Sequence, residues 1–542
     1  MKHKGIIGLI AGVLTVAVIV GAVLGMSYFT RVGYKSTGEH IIANVLPEKL
    51  GTVGFFKDGN IYFVKDGKTE LIAENAYDAQ SETPVYTADY AIDKKSGKML
   101  YKSGDQLYLY NGNESILIAS GVTSWRTAEG LEAIAFTTQW RGSDTLGTLF
   151  LYTGDQAVLI DTGVTPSTVR FSQDGKSLFA QKPNSYPEIY SRLYRYDLNG
   201  EKTLIDKAGY SVLWTNDDGS QLVTGEAADD SLYSYRLYAK NLKRVKNFYN
   251  VYYAQPTPDK SILYILHNYD YDLRKGTLSA VDMNTLREKK IAENVSFFNP
   301  DGVTNASDGV LYSVMDDGEN ALYSIYYGEL YGKNTRIIRN TTEESLYTVA
   351  INSEKKSGYV LSYGASRSDG GVYYIKWNGN KLETERLASG FVDSLVYYEL
   401  TDSVSFIKGV SDGTGTLYYL NARGEMQKIV DDCGAEYVSG NQTYTASAVL
   451  SNDGGSALYF TDIVTGNTTS DTAGVLKLYK DGKATVISEK ASSAYMEAPV
   501  ACDDFSELYY LSENDGILDL YYYNGTSTLI AQNVHGIIEI GE

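Results

Sequence analysis

The histidines of this chain lack the spacing that common catalytic sites need. Four histidines occur in 542 residues, at His3, His40, His267 and His535. A histidine-based triad or a zinc cluster needs residues that converge in space, and only the last two histidines lie in the main body of the chain. No H-E-x-x-H or P-loop pattern occurs. We therefore predict that the protein has no catalytic residue and no cofactor, and that it is not an enzyme.

Acidic turns are the obvious candidates for metal binding. Asn216-Asp217-Asp218-Gly219, Met315-Asp316-Asp317-Gly318 and Asn514-Asp515-Gly516 could each present carboxylates to Ca²⁺. None of them has the D-x-[DN]-x-[DN]-G-x₅-E spacing of a calcium loop. Asp-Gly is also the pair that a tight turn requires, because both residues tolerate a positive φ. We predict turns here and no metal ligand.

Aromatic side chains in three polar segments are the best candidates for a binding surface. The segments are 139–144, 184–190 and 267–272, and each combines aromatic residues with Asn, Asp or Arg. Loops on a rigid scaffold commonly carry recognition, and aromatic and arginine side chains contribute much of the energy of protein interfaces. The candidate binding residues are Trp140, Tyr186, Tyr190, Tyr269 and Tyr271. The alternative is that these segments only cover the edges of the sheets beneath them.

A weak internal repeat supplies the scaffold. An apolar residue and an aromatic one, a short turn and then a Leu/Ile pair recur along the chain, as in Leu107-Tyr108 with Leu117-Ile118. Eleven copies lie between Tyr62 and Tyr521, at a mean spacing of about 46 residues, which is a typical period for blade-type β repeats. The chain also has 48 Tyr against 15 Phe, and this bias towards aromatic residues favours strands.

Each copy divides into four short strands. In residues 168–206 the expected strands are 169–171, 177–180, 193–196 and 203–205, with tight turns at the Asp-Gly and Asn-Gly pairs. Four short antiparallel strands, repeated around an axis, describe a β-propeller. We predict an all-β, β-propeller fold with about eleven four-stranded blades. The connections between the second and third strands of the blades then project together at one end, where the three aromatic segments lie.

The turns between the first two strands resemble those of a known group of repeats. RFSQDGKSLFA (170–180), WTNDDGSQLVTG (214–225), PTPDKSILYIL (256–266) and LSNDGGSALYF (450–460) are similar to the Ser-Pro-Asp-Gly-Lys strand pairs of TolB-like and WD40-like propeller repeats. The Tyr-rich strands also resemble propeller repeats of unknown function in membrane-anchored surface proteins of Gram-positive, clostridia-type bacteria. The resemblance implies the fold, but it implies no activity because its motifs are structural turns.

The two ends of the repeat region are complementary. The segment 535–540 reads as a lone first strand with nothing after it, whereas the first unit, from Val53 onward, has only the second, third and fourth strands. Together they would complete one blade and hide its edges. Eleven blades exceed the usual 4–8 of a propeller, so we predict two propellers, 51–253 and 254–542; the alternative is one large ring.

The first residues predict a membrane anchor. Residues 5–26 form an uncharged apolar run, long enough to cross the hydrocarbon layer as a transmembrane helix, and Lys2 and Lys4 favour a cytoplasmic N-terminus. The sequence therefore predicts a cytoplasmic stub at 1–4, a signal-anchor helix at 5–26, a spacer at 27–50 and an extracellular propeller region. A cleaved signal peptide is the competing interpretation.

Charge and composition narrow the function further. The formal net charge is −19, which disfavours a nucleic acid as partner. We predict a membrane-anchored, extracellular, non-catalytic binding or scaffold module whose partner is a protein or a glycan at the cell surface. The alternatives are a propeller-type glycoside hydrolase or lyase that uses Asp/Glu residues in the central funnel, and an accessory subunit of another protein.

Overall fold

The computed structural model describes most of the chain from Ile42 to Gly541. The described residues are 42–43, 45–65, 67–81, 84–183, 191–227, 232–317, 322–341, 346, 348–362, 371–379, 381–389, 392–411, 414–422, 424–434, 437–439, 442–444, 448–465, 472–492, 499–514 and 517–541. The predicted stub at 1–4 and anchor at 5–26 lie outside them. Within the described part, no helix is long and apolar enough to span a bilayer.

The described part is all-β, as predicted, with short 3₁₀ turns at Pro84–Thr87, Glu129–Leu131, Pro166–Thr168 and Lys240–Leu242. The first strands are β1 (Thr52–Lys57), β2 (Asn60–Lys65), β3 (Lys68–Ala73), β4 (Tyr90–Asp93), β5 (Lys98–Ser103), β6 (Gln106–Tyr110), β7 (Ser115–Ala119), β8 (Val122–Thr127), β9 (Ile134–Trp140), β10 (Ser143–Tyr152), β11 (Ala157–Val164), β12 (Arg170–Phe171), β13 (Ser177–Pro183), β14 (Ser191–Asp197) and β15 (Lys202–Asp206). They are followed by β16 (Ser211–Thr215), β17 (Leu222–Ala227), β18 (Tyr233–Ala239), β19 (Lys243–Val251), β20 (Tyr253–Pro256), β21 (Ile262–Asp270), β22 (Lys275–Asp282), β23 (Glu288–Asn299), β24 (Gly309–Asp317), β25 (Leu322–Glu329), β26 (Asn334–Thr341), β27 (Val349–Asn352), β28 (Ser357–Ser362), β29 (Gly371–Asn378) and β30 (Lys381–Ser389). The last strands are β31 (Val392–Tyr398), β32 (Ser403–Ser411), β33 (Thr414–Leu420), β34 (Met426–Gly434), β35 (Tyr437–Ser439), β36 (Gln442–Tyr444), β37 (Val449–Leu450), β38 (Ala457–Thr465), β39 (Thr472–Lys480), β40 (Lys483–Ser492), β41 (Val500–Ala501), β42 (Leu508–Asn514), β43 (Ile517–Tyr523), β44 (Ser527–Ala531) and β45 (Gly536–Gly541).

These strands form eleven four-stranded antiparallel units, the number that the repeat predicts. Seven are separate sheets, the seven-stranded sheet is two units that share β23, and the eight-stranded sheet is two more. We number the units in chain order: sheet 1 is β45 with β1–β3, sheet 2 is β4–β7, sheet 3 is β8–β11, sheet 4 is β12–β15, sheet 5 is β16–β19, sheet 6 is β20–β23, sheet 7 is β23–β26, sheet 8 is β27–β30, sheet 9 is β31–β34, sheet 10 is β37–β40 and sheet 11 is β41–β44. Strands A to D are the four strands of a unit in this order, so that β45 is strand A of sheet 1.

Tight turns form where the sequence places Asp-Gly pairs. Asp58 and Gly59 have φ of 52° and 81° between β1 and β2, and Asp481 and Gly482 have φ of 54° and 74° between β39 and β40. Two consecutive residues with positive φ form the hairpin turn whose twist matches that of the strands. Gly175, Gly200 and Gly219 lie in the turns that the sequence predicts and have φ of 70°, 85° and 65°, which confirms those predictions.

The two ends of the repeat region pair, as predicted. Strand β45 lies antiparallel to β1, with Ile537 opposite Phe55 and Ile538 opposite Gly54. A Cβ at Gly54 would lie 2.8 Å from side-chain atoms of Ile538 and Ile540, so this position needs a glycine. The last strand of the chain therefore completes the first sheet.

Each sheet packs its two faces against its neighbours in the chain. Eleven clusters of buried apolar side chains occur in the described part, and each one draws on two consecutive sheets. One cluster joins sheet 11 to sheet 1 through Tyr509 and Val53. Another joins sheets 5 and 6 through Val223 and Leu263, across the predicted boundary between residues 253 and 254. Packing across this boundary is of the same kind as between the other sheets.

Stacked aromatic pairs explain much of the tyrosine bias. In six sheets a residue of strand B lies opposite one of strand C with the two rings stacked, 5.0–5.7 Å apart. The pairs are Phe55–Tyr62, Tyr101–Tyr108, Phe136–Phe150, Tyr312–Tyr326, Phe406–Tyr418 and Tyr510–Tyr521. The strand C members are half-buried, because strand C lies next to the outermost strand. Such pairs stabilise a sheet beyond the area that they bury.

Fully buried tyrosines connect neighbouring sheets through their hydroxyl groups. Tyr196 of sheet 4 donates to Asp161 Oδ2 of sheet 3 at 2.9 Å, and Tyr238 of sheet 5 donates to Asp206 Oδ2 of sheet 4 at 2.6 Å. Both tyrosines are at most 1% exposed. A phenylalanine would fill the same space but could not make these hydrogen bonds, which explains why tyrosine occurs here.

Candidate functional site

Trp140 lies in a hairpin, not in the long loop that the sequence predicts. Strands β9 and β10 are joined by Arg141 and Gly142 alone, with φ of 51° and 71°. The Arg141 guanidinium lies 4.6 Å from the centre of the half-buried Trp140 ring. A Cβ at Gly163 would lie 3.5 Å from that ring, so the indole packs on the backbone of β11. The extra residues of 139–144 form a bulge in β10, between Ser143 and Gly147.

A small cleft opens beside this hairpin, at the same end of sheet 3. Its volume is about 220 Å³ and it is lined by Thr123, Gln139, Ser143, Leu146 and Pro166. Pockets for drug-sized ligands usually measure about 300–1,000 Å³. The cleft can therefore hold one small polar group but not a whole oligosaccharide or peptide.

The segment 267–272 also differs from the prediction. His267 to Asp270 belong to β21, and Asn268 takes a φ of 49° at a bulge opposite β22. Tyr269 is only 6% exposed and stacks on Tyr252 with ring centres 4.3 Å apart, so it belongs to the core between sheets 6 and 7. Its assignment to a loop is wrong. Tyr271 lies in the following turn and is 59% exposed.

The predicted binding residues therefore do not form one patch. Trp140 is in sheet 3, and Tyr271 is in sheet 6, with two sheets between them. Both lie at the end of the sheets where strands B and C connect, which we call the B–C end. Tyr186 and Tyr190 lie outside the described residues.

His267 has partners of the types found in catalytic triads, but its contacts are those of a buried structural cluster. Its Nε2 lies 2.9 Å from Ser279 Oγ, which in turn donates to Glu288 Oε1 at 2.7 Å. Ser279 and Glu288 thus both lie near Nε2 of His267. In a catalytic triad the serine contacts one ring nitrogen and the carboxylate contacts the other. Ser279 is fully buried and out of reach of a substrate. Burial, assisted by the charge of Lys246, lowers the pKa of His267 to about 4.

Local hydrogen bonds stabilise the ionised carboxylates of the acidic turns. Burial alone would raise the pKa of Asp259, but hydrogen bonds from Thr257, Ser261 and Ser307 outweigh it and lower the pKa to about 2. Every described carboxyl group with a resolved shift has a lowered pKa; these are Asp161, Asp218, Asp259, Glu293, Asp453 and Asp504. A general acid needs the opposite shift. No group of three or more His, Cys, Asp or Glu residues among the described ones could hold a metal ion.

The C-terminal part of the predicted spacer is docked on the sheets. We call residues 42–43 and 45–50 the strap. Ala43 N donates to Tyr397 O at 2.7 Å, Leu46 exchanges hydrogen bonds of 3.0 and 2.9 Å with the Asn452 side chain, and Asp503 N donates to Pro47 O at 2.8 Å. Asn452 and Asp503 belong to the A–B turns of sheets 10 and 11, and Tyr397 lies at the end of strand A of sheet 9. The strap thus follows the end of the sheets opposite to the B–C end.

Sequence reasoning missed a row of side chains on the A strands. Arg126, Arg170, Trp214 and Gln255 hold the same position in the pairing of strands A and B in sheets 3 to 6, where they lie opposite Ala135, Phe179, Val223 and Tyr264. Alignment of the repeats at their A–B turns would have found them, because that alignment places Arg, Trp and Gln where other copies carry Ala or Val.

Comparison with known proteins adds little to this description. No protein-family model and no curated protein matches the chain. Among solved structures, the crystal structure of the eukaryotic initiation factor is 11% identical with a TM-score of 0.40, over 82% of this chain and 97% of that one. The dipeptidyl peptidase 4 of Porphyromonas gingivalis is 10% identical with a TM-score of 0.34, over 80% and 64%. The tricorn protease is 13% identical with a TM-score of 0.26, over 79% and 48%. Similarities at this level carry no argument about activity.

Proposed function

We propose that the eleven sheets are the blades of one closed propeller, which acts at the cell surface as a non-catalytic binding scaffold for a protein or a glycan. The packing supports one ring over two, because an apolar cluster joins every pair of consecutive sheets and also joins sheet 11 to sheet 1. The pairing of β45 with β1 closes the ring through the backbone. The likeness of the A–B turns to TolB-like and WD40-like repeats is consistent with this assignment.

The observation that carries the functional proposal is the course of the strap. The strap, residues 42–43 and 45–50, follows the A–B end of sheets 9 to 11. If residues 5–26 are the anchor, the A–B end faces the membrane and the B–C end faces outward. Trp140 and Tyr271 are then presented away from the cell, on bulged hairpins of a rigid ring, where a partner can reach them.

Binding explains these features better than hydrolysis does. A glycoside hydrolase of the alternative type needs one carboxyl group that stays protonated near neutral pH. The resolved pKa shifts of the described carboxyl groups all favour the ionised form, and the serine that contacts His267 is fully buried. We therefore keep the binding scaffold as the proposed function.

Binding of cell envelopes by the soluble fragment 42–542 tests this proposal. The fragment keeps the strap, and retention is measured by co-sedimentation. We expect the double variant Trp140→Ala, Tyr271→Ala to lose most of the retention with an unchanged melting temperature. The matched control is Tyr331→Ala, which removes an 80% exposed tyrosine from a C–D turn at the opposite end and should bind as wild type does.

Treatment of the envelopes separates the two kinds of partner. Loss of retention after protease digestion identifies a protein, and loss after periodate oxidation identifies a glycan. Equal binding by the B–C double variant and by wild type would contradict the assignment of the B–C end. Turnover of an envelope polysaccharide by the fragment would contradict the non-catalytic role.

A further inference from the structure

Two arginines lie side by side on neighbouring A strands, and neither forms an ion pair with a described carboxylate. Arg126 and Arg170 hold equivalent positions in sheets 3 and 4, and strands β8 and β12 are in contact. Arg126 faces sheet 4, because it lies opposite Ala135, a member of the core between these two sheets. Arg170 lies opposite Phe179, a member of the core between sheets 4 and 5. The two arginines thus lie on strand A in two successive interfaces between sheets.

Both guanidinium groups are half-buried and donate only to backbone carbonyls within the described part of the chain. Arg126 Nη1 donates to Trp125 O at 2.6 Å, and Arg170 Nη1 donates to Val169 O at 2.8 Å and to Ser167 O at 3.1 Å. Each guanidinium has five N–H donors, so several remain available. Burial, together with the charge of Arg126, lowers the pKa of Arg170 to about 10. The negative charge of Asp89 acts on Arg126 and partly offsets the effect of burial on its pKa.

Such an arrangement is costly in a protein that carries a net charge of −19. Two half-buried like charges repel each other, and buried charges are normally paired. Carboxylates are abundant, since the chain has 67 acidic residues, yet none of the described ones forms an ion pair with either arginine. An unpaired pair of cations at one place in an acidic protein is what a site for an anionic ligand requires.

A further donor lies at the same position in the next sheet. The indole Nε1 of Trp214 is buried and has no hydrogen-bond acceptor among the described residues. Leaving a buried donor unsatisfied is expensive, and a ligand oxygen would remove this cost. The side-chain amide of Gln173, in the A–B turn after Arg170, donates to Thr215 O at 2.6 Å and so fixes the two strands to each other. Two consecutive A strands thus present guanidinium groups whose described acceptors are backbone carbonyls, and the next A strand presents an indole N–H without an acceptor among the described residues.

We propose that Arg126, Arg170 and the indole N–H of Trp214 bind the carboxylate of a small, otherwise uncharged molecule such as an acidic monosaccharide. The planar guanidinium fork matches the two oxygens of a carboxylate. The negative field of the whole protein excludes polyanions, so that a ligand with one negative charge is the best fit. This site lies on the A strands and is separate from the B–C end, so its existence does not depend on the proposed partner binding there.

Titration of the full-length protein in detergent with glucuronate tests the site. Two of the four tryptophans, Trp125 and Trp214, flank the arginines, so tryptophan fluorescence reports binding. Glucose is the matched neutral probe and should not bind, and inorganic phosphate should bind more weakly than glucuronate. We expect Arg126→Gln and Arg170→Gln each to weaken glucuronate binding about tenfold or more, and Trp214→Phe to weaken it about fivefold, as expected for the loss of one hydrogen bond. The exposed Arg287→Gln in sheet 6 should bind as wild type does.

Melting temperature provides the second readout. Removal of one of two repelling, half-buried charges should leave the melting temperature of Arg170→Gln unchanged or raise it, whereas a purely structural arginine would lower it. Arg170→Lys keeps the charge but loses the fork, and it should lose most of the affinity even if Arg170→Gln fails to fold. Equal binding of glucose and glucuronate, tighter binding of phosphate, or unchanged affinity in the Arg170 variants would overturn the proposal.

Discussion

Replacement of Ile540 by alanine is expected to weaken the closure of the ring. Ile540 lies on β45, the strand that completes sheet 1, and its side chain is fully buried in the core between sheets 1 and 2. Its side chain also fills the space that a Cβ atom at Gly54, on the neighbouring strand, would need. Truncation at this position therefore opens a cavity at the join of the two ends of the repeat region.

The expected loss follows from burial. Truncation of a fully buried isoleucine to alanine typically costs about 2–5 kcal/mol of unfolding free energy, and the interior around β45 has little freedom to collapse because both its faces are packed. The matched control is Leu529→Ala on β44, the outermost strand of sheet 11. Leu529 is 46% exposed, so its truncation should cost less than about 1 kcal/mol.

Urea unfolding of the fragment 42–542, followed by tryptophan fluorescence, measures both variants. We expect one cooperative transition whose midpoint falls clearly in Ile540→Ala and hardly at all in Leu529→Ala. Deletion of residues 536–542 should have a larger effect than either, because it removes the whole of strand A from sheet 1. If Ile540→Ala costs no more than Leu529→Ala, the last strand is not part of the core and the reasoning on closure is refuted.

Three further predictions concern single side chains. The pKa of His267, about 4 in the folded protein, lies below the ordinary value of 6.5, so the unfolded chain takes up the proton first. Unfolding free energy should fall by up to about 3 kcal/mol as the pH drops from 6.5 to about 4, and this part of the pH dependence should be absent in His267→Gln. Tyr269→Ala should cost about 3–5 kcal/mol of stability in urea, whereas Tyr271→Ala should cost almost nothing; equal effects would contradict the division between core and surface. Burial raises the pKa of Cys433 to about 12, so iodoacetamide should label it at pH 8 only after unfolding, and rapid labelling of the folded protein would show that it is accessible.

Local sequence patterns predict the strands and their ends well. The repeated phrase marks strands C and D, as Leu107-Tyr108 in β6 and Leu117-Ile118 in β7 show. Asp-Gly pairs mark tight turns because few other residues tolerate a positive φ. The closing strand was also predictable, since a lone strand A at one end of the repeat region and a missing strand A at the other complement each other.

Bulges explain the errors at the B–C end. Asn268 and Asp270 have the residue types of a turn, but they belong to β21, where a bulge between His267 and Asp270 absorbs the extra residue. The bulge turns Tyr269 into the core. Similar bulges occur before the B–C turns of sheets 7, 9 and 10. A one-residue shift in register moves a side chain to the other face of the sheet, and local sequence does not reveal it.

The arginine site depends on long-range neighbours. Arg126 and Arg170 are 44 positions apart in the sequence, and each alone resembles an ordinary polar residue at a strand end. Only the pairing of strands A and B in two sheets shows that they are equivalent, and only the three-dimensional structure shows that neither forms an ion pair with a described carboxylate. The proposed single ring likewise rests on the packing between sheets, because the number of repeats can be read from the sequence but the angle between them cannot.

Electron microscopy of the full-length protein in detergent tests the closed ring most directly. Averaged views along the axis should show one ring with eleven spokes and a central opening, and the N-terminal micelle should lie on the side opposite to the B–C end. Two smaller rings side by side, with a division near residue 254, would contradict the single ring. A micelle on the side of Trp140 and Tyr271 would contradict the proposed outward direction of the binding surface.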